Sequence, residues 1–170
     1  EADYRGEATS LALLRLAVGP ELRGSWLVRL YWHGRLSPTL TRLSLELGRW
    51  LVAESGVYLT RVLDRTESCG QTFLTCDGGG HHLLGATGCL REQARGNFPI
   101  AVANRFDAPP EEEVTVTGCL ATPHDLFGDE VMLPRAEPGD LIAIFCAGAY
   151  GLTASPQAWE SRPAAREILV

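Results

Sequence analysis

The stretch GCLATPHDLFGDEVMLP, residues 118–134, places a thiol (Cys119), an imidazole (His124) and a carboxylate (Asp125) in one turn-rich segment. These are the residue types of a thiol nucleophile, its base and the group that orients the base. Such triads are defined by geometry, and their members seldom crowd into one short run. Asp125 could not easily orient its neighbour His124 while His124 reached back to Cys119. A turn or capping role suits Asp125 as well. Further on, GAYG (148–151) puts Tyr150 between small residues at the end of a very apolar run. Its ring can pack while its hydroxyl serves either an internal partner or a ligand. Arg49, in ELGRW, presents a guanidinium fit for a carboxylate such as Glu46 or for the forked grip of a ligand anion. His81 and His82 are adjacent; on a strand they would face opposite sides, a poor ligand pair, so they read as surface or loop histidines.

The chain that must position these groups has 170 residues, 45% hydrophobic and 21% charged, the composition of one ordinary globular domain. A formal net charge of −6 argues against a nucleic-acid surface, which needs clustered cations. No run is long and apolar enough to span a bilayer. The cysteines at 69, 76, 89, 119 and 146 form no CxxC pair. They read as reduced, partly buried thiols of a cytoplasmic protein, with disulfides as the alternative. The sequence starts at Glu1 rather than Met, so a segment upstream is expected, and the lack of a targeting signal says little.

Residues 1–42 differ from the rest. Glu7–Val18 favours a helix over a buried strand because Ala and Leu dominate, and Gly19-Pro20 ends it. Ser25–Gly34 suits a strand. Ser37 is a possible helix N-cap with Pro38 in the first turn, and LSLEL alternates like a strand. From Trp50 onward short strands repeat: WLVAESG, Val57–Arg65, Gln71–Gly80, Phe98–Phe106, Val114–Gly118, a short EVMLP and the apolar Asp140–Gly148, which should be central. AREILV, 165–170, would close the sheet. Turn signals between these runs indicate a mainly β domain, barrel or sandwich, with minor helix in the HHLLGATGCLREQARG excursion. Gly78-Gly79-Gly80 reads as a tight turn or close backbone approach, or as an anion nest.

Several stretches, taken in order, resemble a known family: LELGRWLVAESGVYLTRVLD, FLTCDGGGHHLLGATG, GCLATPHDLFGDEVMLP, GDLIAIFCAGAYGLTASP and RPAAREILV. Residues 43–170 are similar to the C-terminal β-domain of pyridoxal-phosphate-dependent decarboxylases with the alanine-racemase-like fold, relatives of diaminopimelate and ornithine decarboxylases. The branch that acts in polysaccharide-export or natural-product clusters, sometimes on carrier-protein-bound amino acids, is the most similar. The resemblance implies a Greek-key-like β-barrel or sandwich. In such enzymes an N-terminal (β/α)8 barrel bears the Schiff-base lysine, and each active site of a head-to-tail dimer takes residues from the partner's second domain. Residues 1–42 are too few for that barrel, which takes about 250 residues, and would be an extension or barrel remnant packing on the β-domain. Leu11, Leu14, Trp26 and Trp32 are the side chains expected to cover the flank a barrel would cover.

The resemblance places Arg49 near cofactor phosphate or substrate carboxylate, and Tyr150 against the cofactor. It aligns Gly118, Thr122, Pro123 and Asp125 with the family's cysteine loop, G-P-L-C-T-P-x-D. Cys119 then takes the proline place and Ala121 the cysteine place, where the family thiol handles protons and substrate placement. Cys119 lies two residues away, displaced by about 7 Å along an extended chain. All 15 Lys and Arg residues are Arg, so no side-chain amine here can hold pyridoxal phosphate covalently. Three functions follow. The chain is the β-domain of such a decarboxylase, completing a site whose lysine lies on another polypeptide segment. It is a non-catalytic binding or dimerisation domain of that descent. Or it is a Cys119-dependent hydrolase or transferase. The partners implied are a second copy or a barrel-bearing subunit, and a carrier protein.

Overall fold

The computed structural model describes residues 29–31, 44–46, 48–88 and 96–170, with side chains described from Arg49 onward except that of Trp50. The predicted helix at 7–18, the Ser37 cap and the side chains of Leu11, Leu14, Trp26 and Trp32 lie outside the described residues. The chain divides into two compact units, 1–51 and 52–170. In the first, β1 (Arg29–Tyr31) pairs antiparallel with β2 (Ser44–Glu46), Leu30 opposite Leu45. Both fall in stretches whose sequence reads as strand. The run WLVAESG, read as a strand, is helical instead: α1 spans Gly48–Val52 and a 3₁₀ turn follows at Ala53–Ser55. A short apolar run has no periodicity that separates strand from helix, and here the Ser55 hydroxyl closes the turn by donating to the Val52 carbonyl.

The second unit is a six-stranded sheet built from β3 (Tyr58–Ser68), β4 (Gln71–Cys76), β5 (Ile100–Val102), β6 (Glu112–Thr117), β7 (Leu126–Leu133) and β8 (Leu141–Ile144). Its order is β5-β8-β3-β4-β6-β7, with β4 and β6 parallel and every other pair antiparallel. β8 is thus flanked on both sides, by β5 and β3, second from the edge rather than central. β3 serves two neighbours in turn. Residues 58–61 pair with β8, and those from Val62 onward pair with β4. The register shifts between Val62 and Asp64. That bulge changes which parity faces inward: Thr60 and Val62 are buried before it, Leu63 is left exposed, and Arg65 turns inward after it. Bending one long strand in this way lets a sheet curl into a barrel.

The two edge strands nearly close the barrel. The Asn97 side-chain amide donates to the Asp129 carbonyl at 2.6 Å and accepts from the Asp129 amide at 3.1 Å, acting as one residue of a missing strand. Val62, Leu74, Val114, Val116, Phe127, Leu133, Ile142 and Ile144 fill the interior and are essentially inaccessible. Arg65 reaches Glu112 through two bonds of 2.6 and 2.7 Å, a forked pair at one end of the core. β7 is longer than the short EVMLP strand expected, because two register irregularities, between Leu126 and Gly128 and between Gly128 and Val131, hide the alternation. AREILV does not close the sheet: residues 162–170 carry no strand, and Ile168 and Leu169 are 82% and 100% exposed. Strand propensity alone cannot supply a partner edge.

Candidate functional site

The site-bearing segments meet at one end of the barrel, where β4 runs into Asp77 and three glycines. Asp77 is fixed first: its Oδ1 accepts from the Thr60 hydroxyl (2.7 Å) and the Arg61 amide (2.9 Å). Thr60 Oγ1 in turn accepts from the Gly78 amide at 3.0 Å. The glycines are needed for clearance. A Cβ on Gly78 would collide with the Tyr58 hydroxyl, and one on Gly79 would come within 2.5 Å of Asp125 Oδ2. Close backbone approach, one of the sequence expectations, is what the segment does. The anion received by the Gly80 amide is the protein's own Asp125.

Asp125 is buried at 4% exposure and clamps the loop 118–125. Its Oδ1 accepts from the Gly80 amide at 2.6 Å and its Oδ2 from the Leu120 amide at 2.7 Å, while its carbonyl accepts from the Gly118 amide. Burial pushes its carboxyl above the usual carboxylate range, and the Leu120 and Gly80 amides pull the other way. The Cys119 amide donates to Gly78 O, extending the β4–β6 pairing past the strand ends. The capping role read from the sequence for Asp125 therefore describes its geometry, on a larger scale than a local turn.

The three chemical groups of this loop are not brought together as a triad. Both Asp125 oxygens face backbone amides, His124 is exposed, and among the described residues no side-chain hydrogen bond joins Cys119, His124 and Asp125. Burial pushes the Cys119 thiol up, against a partial pull from Arg162, so it disfavours the thiolate a nucleophile needs. Ala121, in the position aligned with the family cysteine, is exposed, and its amide donates to Glu160 Oε1 at 3.2 Å.

The histidines form a feature the sequence does not announce. They are not on a strand, and their rings stack with centroids 3.8 Å apart. Both histidines lie in a turn, as the loop expectation has it, but His81 is not at the surface: it is 1% exposed. The triple glycine sets the pair on irregular backbone, so the opposite-faces rule for strands does not apply. His82 Nε2 lies 2.8 Å from the Pro163 carbonyl, which only accepts, so Nε2 carries the proton and Nδ1 accepts from the Tyr58 hydroxyl at 2.9 Å. Burial raises the Tyr58 hydroxyl far above the ordinary tyrosine value.

A strap, residues 146–165, crosses over this cluster. Gly148 packs its backbone on the 52–56 segment: its amide donates to Ala53 O, and a Cβ there would overlap the Val52 carbonyl. That anchor throws Tyr150 outward, 49% exposed in left-handed backbone with φ 56°. Gln157 then spans three segments, donating to the carbonyls of His81 (2.7 Å) and Leu152 (3.0 Å) and accepting from the Ala165 amide. Ser155 accepts from the Leu84 amide. Arg49 lies on α1, half-buried, in the first unit. Separately, an open groove of about 320 Å³ runs over the outer face of β4, β6 and β7, lined by Phe73, Thr115, Thr117, Leu120 and Pro123 among others. Neither Tyr150 nor the histidines line it.

A family model described as "Pyridoxal-dependent decarboxylase, C-terminal sheet domain" matches residues 24–148, ending just before Tyr150 and beginning within the stretch read as an extension. The chain is 40% identical over 132 residues to an L-glutamyl-(BtrI acyl-carrier protein) decarboxylase from Niallia circulans, covering 76% of this chain and 31% of that protein. It is 38% identical over 130 residues to a diaminopimelate decarboxylase from Archaeoglobus fulgidus, covering 76% and 29%. The crystal structure of a diaminopimelate decarboxylase from M. jannaschii in co-complex with L-lysine superposes with a TM-score of 0.55 at 29% identity, over 68% of this chain and 25% of that one. The chain thus spans about three-tenths of the length of these curated relatives. The matched family model and these relatives show the family: the chain belongs to the pyridoxal-dependent decarboxylases and carries their C-terminal sheet domain.

Proposed function

We propose that this chain supplies the sheet-domain side of an amino-acid decarboxylase active site whose lysine lies on another polypeptide segment, either a barrel-bearing subunit or the barrel of a second copy. The observation that carries this reading is the loop 118–125. It keeps the family's Gly118, Thr122, Pro123 and Asp125, and Asp125 pins it to the glycine turn with both oxygens. A loop held this firmly suits a fixed wall of a shared site.

Pyridoxal phosphate, implied by the family, supplies an electron sink for decarboxylation when bound. The donor set here fits only part of a site for it. All 15 cationic side chains are Arg, so covalent attachment to this chain does not fit. Tyr150, half-exposed, is suited to donate its hydroxyl to an anionic oxygen, and Arg49 is the guanidinium aligned with the same task. Asp125 orients the loop without touching ligand, and the exposed crest Ala121–His124 faces outward for the substrate side. The similarity to a carrier-protein-dependent decarboxylase supports an aminoacyl group on a carrier protein as substrate. Ala121 in the cysteine place supports a second reading, a binding or dimerisation domain without proton chemistry of its own.

The test is cofactor capture. Pyridoxal phosphate is added to the chain alone and to the chain mixed with a lysine-bearing barrel polypeptide of the family, and retention through gel filtration is measured. The chain alone should retain none, and the mixture should retain it. Tyr150→Phe should weaken retention in the mixture about tenfold, the value of one hydrogen bond to a charged group. Retention by the chain alone, or no difference between chain plus barrel and barrel alone, would overturn the proposal.

A further inference from the structure

The stacked histidines lie under the strap, and the strap is held to the barrel through them. His81 gives its carbonyl to Gln157, and His82 gives its Nε2 proton to the Pro163 carbonyl. Next to them, the Leu84 amide holds Ser155. We infer that the His81–His82 pair is an acid-sensitive latch, closed while the His81 ring is neutral and released when that ring takes a proton, freeing residues 151–165 from the barrel end. This inference concerns the chain's own movement and does not rest on the decarboxylase reading.

Three features of the geometry point to this. His81 is 1% exposed and its Nδ1 has no hydrogen-bond partner. A proton at Nδ1 would meet no solvent and no acceptor among the described residues, a costly position for a charge. The second ring, 3.8 Å away, has both nitrogens engaged and cannot accept that proton's bond. Two neighbours favour a charge on His81, the Pro163 carbonyl and Glu160, but burial, His82 and Arg162 outweigh them. Arg162 on the strap repels a charged His81, and Glu160, also on the strap, is tied to the Ala121 amide and paired with Arg162 at 3.8 Å. Asp125, from the loop beneath, is committed to the Gly80 and Leu120 amides, and Tyr58 from β3 reaches only His82. Burial first, then His82 and Arg162, hold the His81 imidazole below the ordinary histidine value.

The sign follows from that direction. An open strap lets His81 take a proton near the ordinary value of about 6.5, whereas the closed strap resists it until lower pH. Closure is therefore complete above about pH 6.5 and weakens as the pH falls, by up to about tenfold in the closed-to-open ratio per pH unit for one proton. The strap bears Tyr150 at its start and holds the Ala121 amide through Glu160, so release unfastens both from the barrel end.

Hydrogen exchange of the full chain at pH 7.5 and 5.5, corrected for intrinsic rates, tests this. Amides of 152–163 should lose several-fold, up to about tenfold, protection at the lower pH, while β4 and β6 amides hold theirs. His81→Leu should make strap protection independent of pH. In case that variant fails to fold, the imidazole proton resonances of the wild type decide: the His81 ring should titrate together with the loss of strap protection. Unchanged strap protection, or a His81 ring that titrates at its ordinary value with the strap still protected, would overturn the latch.

Discussion

The loop 118–125 and the strap 146–165 flank the same end of the barrel, and they are fastened in opposite ways. One buried carboxylate holds the loop by its backbone, and glycines at 79 and 118 leave no room for it to shift, since a Cβ at either would strike Asp125. The strap is held from outside, by Gln157, Ser155 and Glu160 and by two histidines. Its backbone includes Cys146, Tyr150, Glu160 and Ser161 in the left-handed region, at φ 59°, 56°, 53° and 55°. For residues with a Cβ such angles cost energy and persist only where surrounding contacts impose them. The loop is thus a fixed part of the fold, whereas the strap keeps its shape only while its anchors hold.

Removing the loop's clamp should give the largest effect. Asp125→Ala strands the buried Gly80 amide and the half-buried Leu120 amide, each worth about 1–3 kcal/mol when left unsatisfied. Relief from burying a carboxylate offsets part of this, leaving a loss of about 3 kcal/mol. Urea unfolding measures it through the midpoint at unchanged slope. A loss under about 1 kcal/mol would mean the loop is not fixed by Asp125, and the contrast with the strap would disappear.

The second experiment separates barrel from strap by pH. The Arg65 hydrogen bond holds the Glu112 carboxyl below its usual range, against the effect of burial. Glu112 therefore contributes stability that is full above its unfolded value of about 4.3 and lost as the pH falls through the lower folded value. Glu112→Gln should cost about 2 kcal/mol at pH 7, because the guanidinium, 9% exposed, loses its counter-charge. The gap from wild type should close below about pH 4. Thermal midpoints between pH 3 and 7 report this. The barrel should weaken near pH 4 and the strap near pH 6; coincident transitions would make the two regions one cooperative unit.

The contrast also explains what could be read from sequence. The loop was legible because its determinants are local and of types with few structural uses: glycine, proline and an Asp at a turn. The barrel strands were legible from β-branched alternation wherever no bulge intervened. The strap was not. Gln157 and Ser155 are ordinary polar residues until folding sets them against the carbonyl of His81 and the amide of Leu84. AREILV has strand composition but pairs with no strand among the described residues. His81 looked like a surface residue because burial of a histidine depends on what crosses above it, and that crossing segment lies more than seventy residues downstream, at Gln157. That the Ala121 amide is taken by a carboxylate, Glu160, could not be read either, because Glu160 lies 39 residues downstream.

The smallest effect on global stability should come from the strap's main anchor. Gln157→Ala removes hydrogen bonds to the carbonyls of His81 and Leu152 and from the Ala165 amide. Leu152 and Ala165 are half-buried, and the space that Gln157 vacates admits water to the His81 carbonyl, so the urea midpoint should move by no more than about 1 kcal/mol. Local exchange should respond differently. Amides of 152–163 should open at least about fivefold more often at pH 7.5, the equivalent of that one kcal/mol confined to a segment. If Gln157→Ala instead lowered global stability as much as Asp125→Ala, the strap would be part of the barrel's folding unit, and a latch built on two histidines could not release it alone.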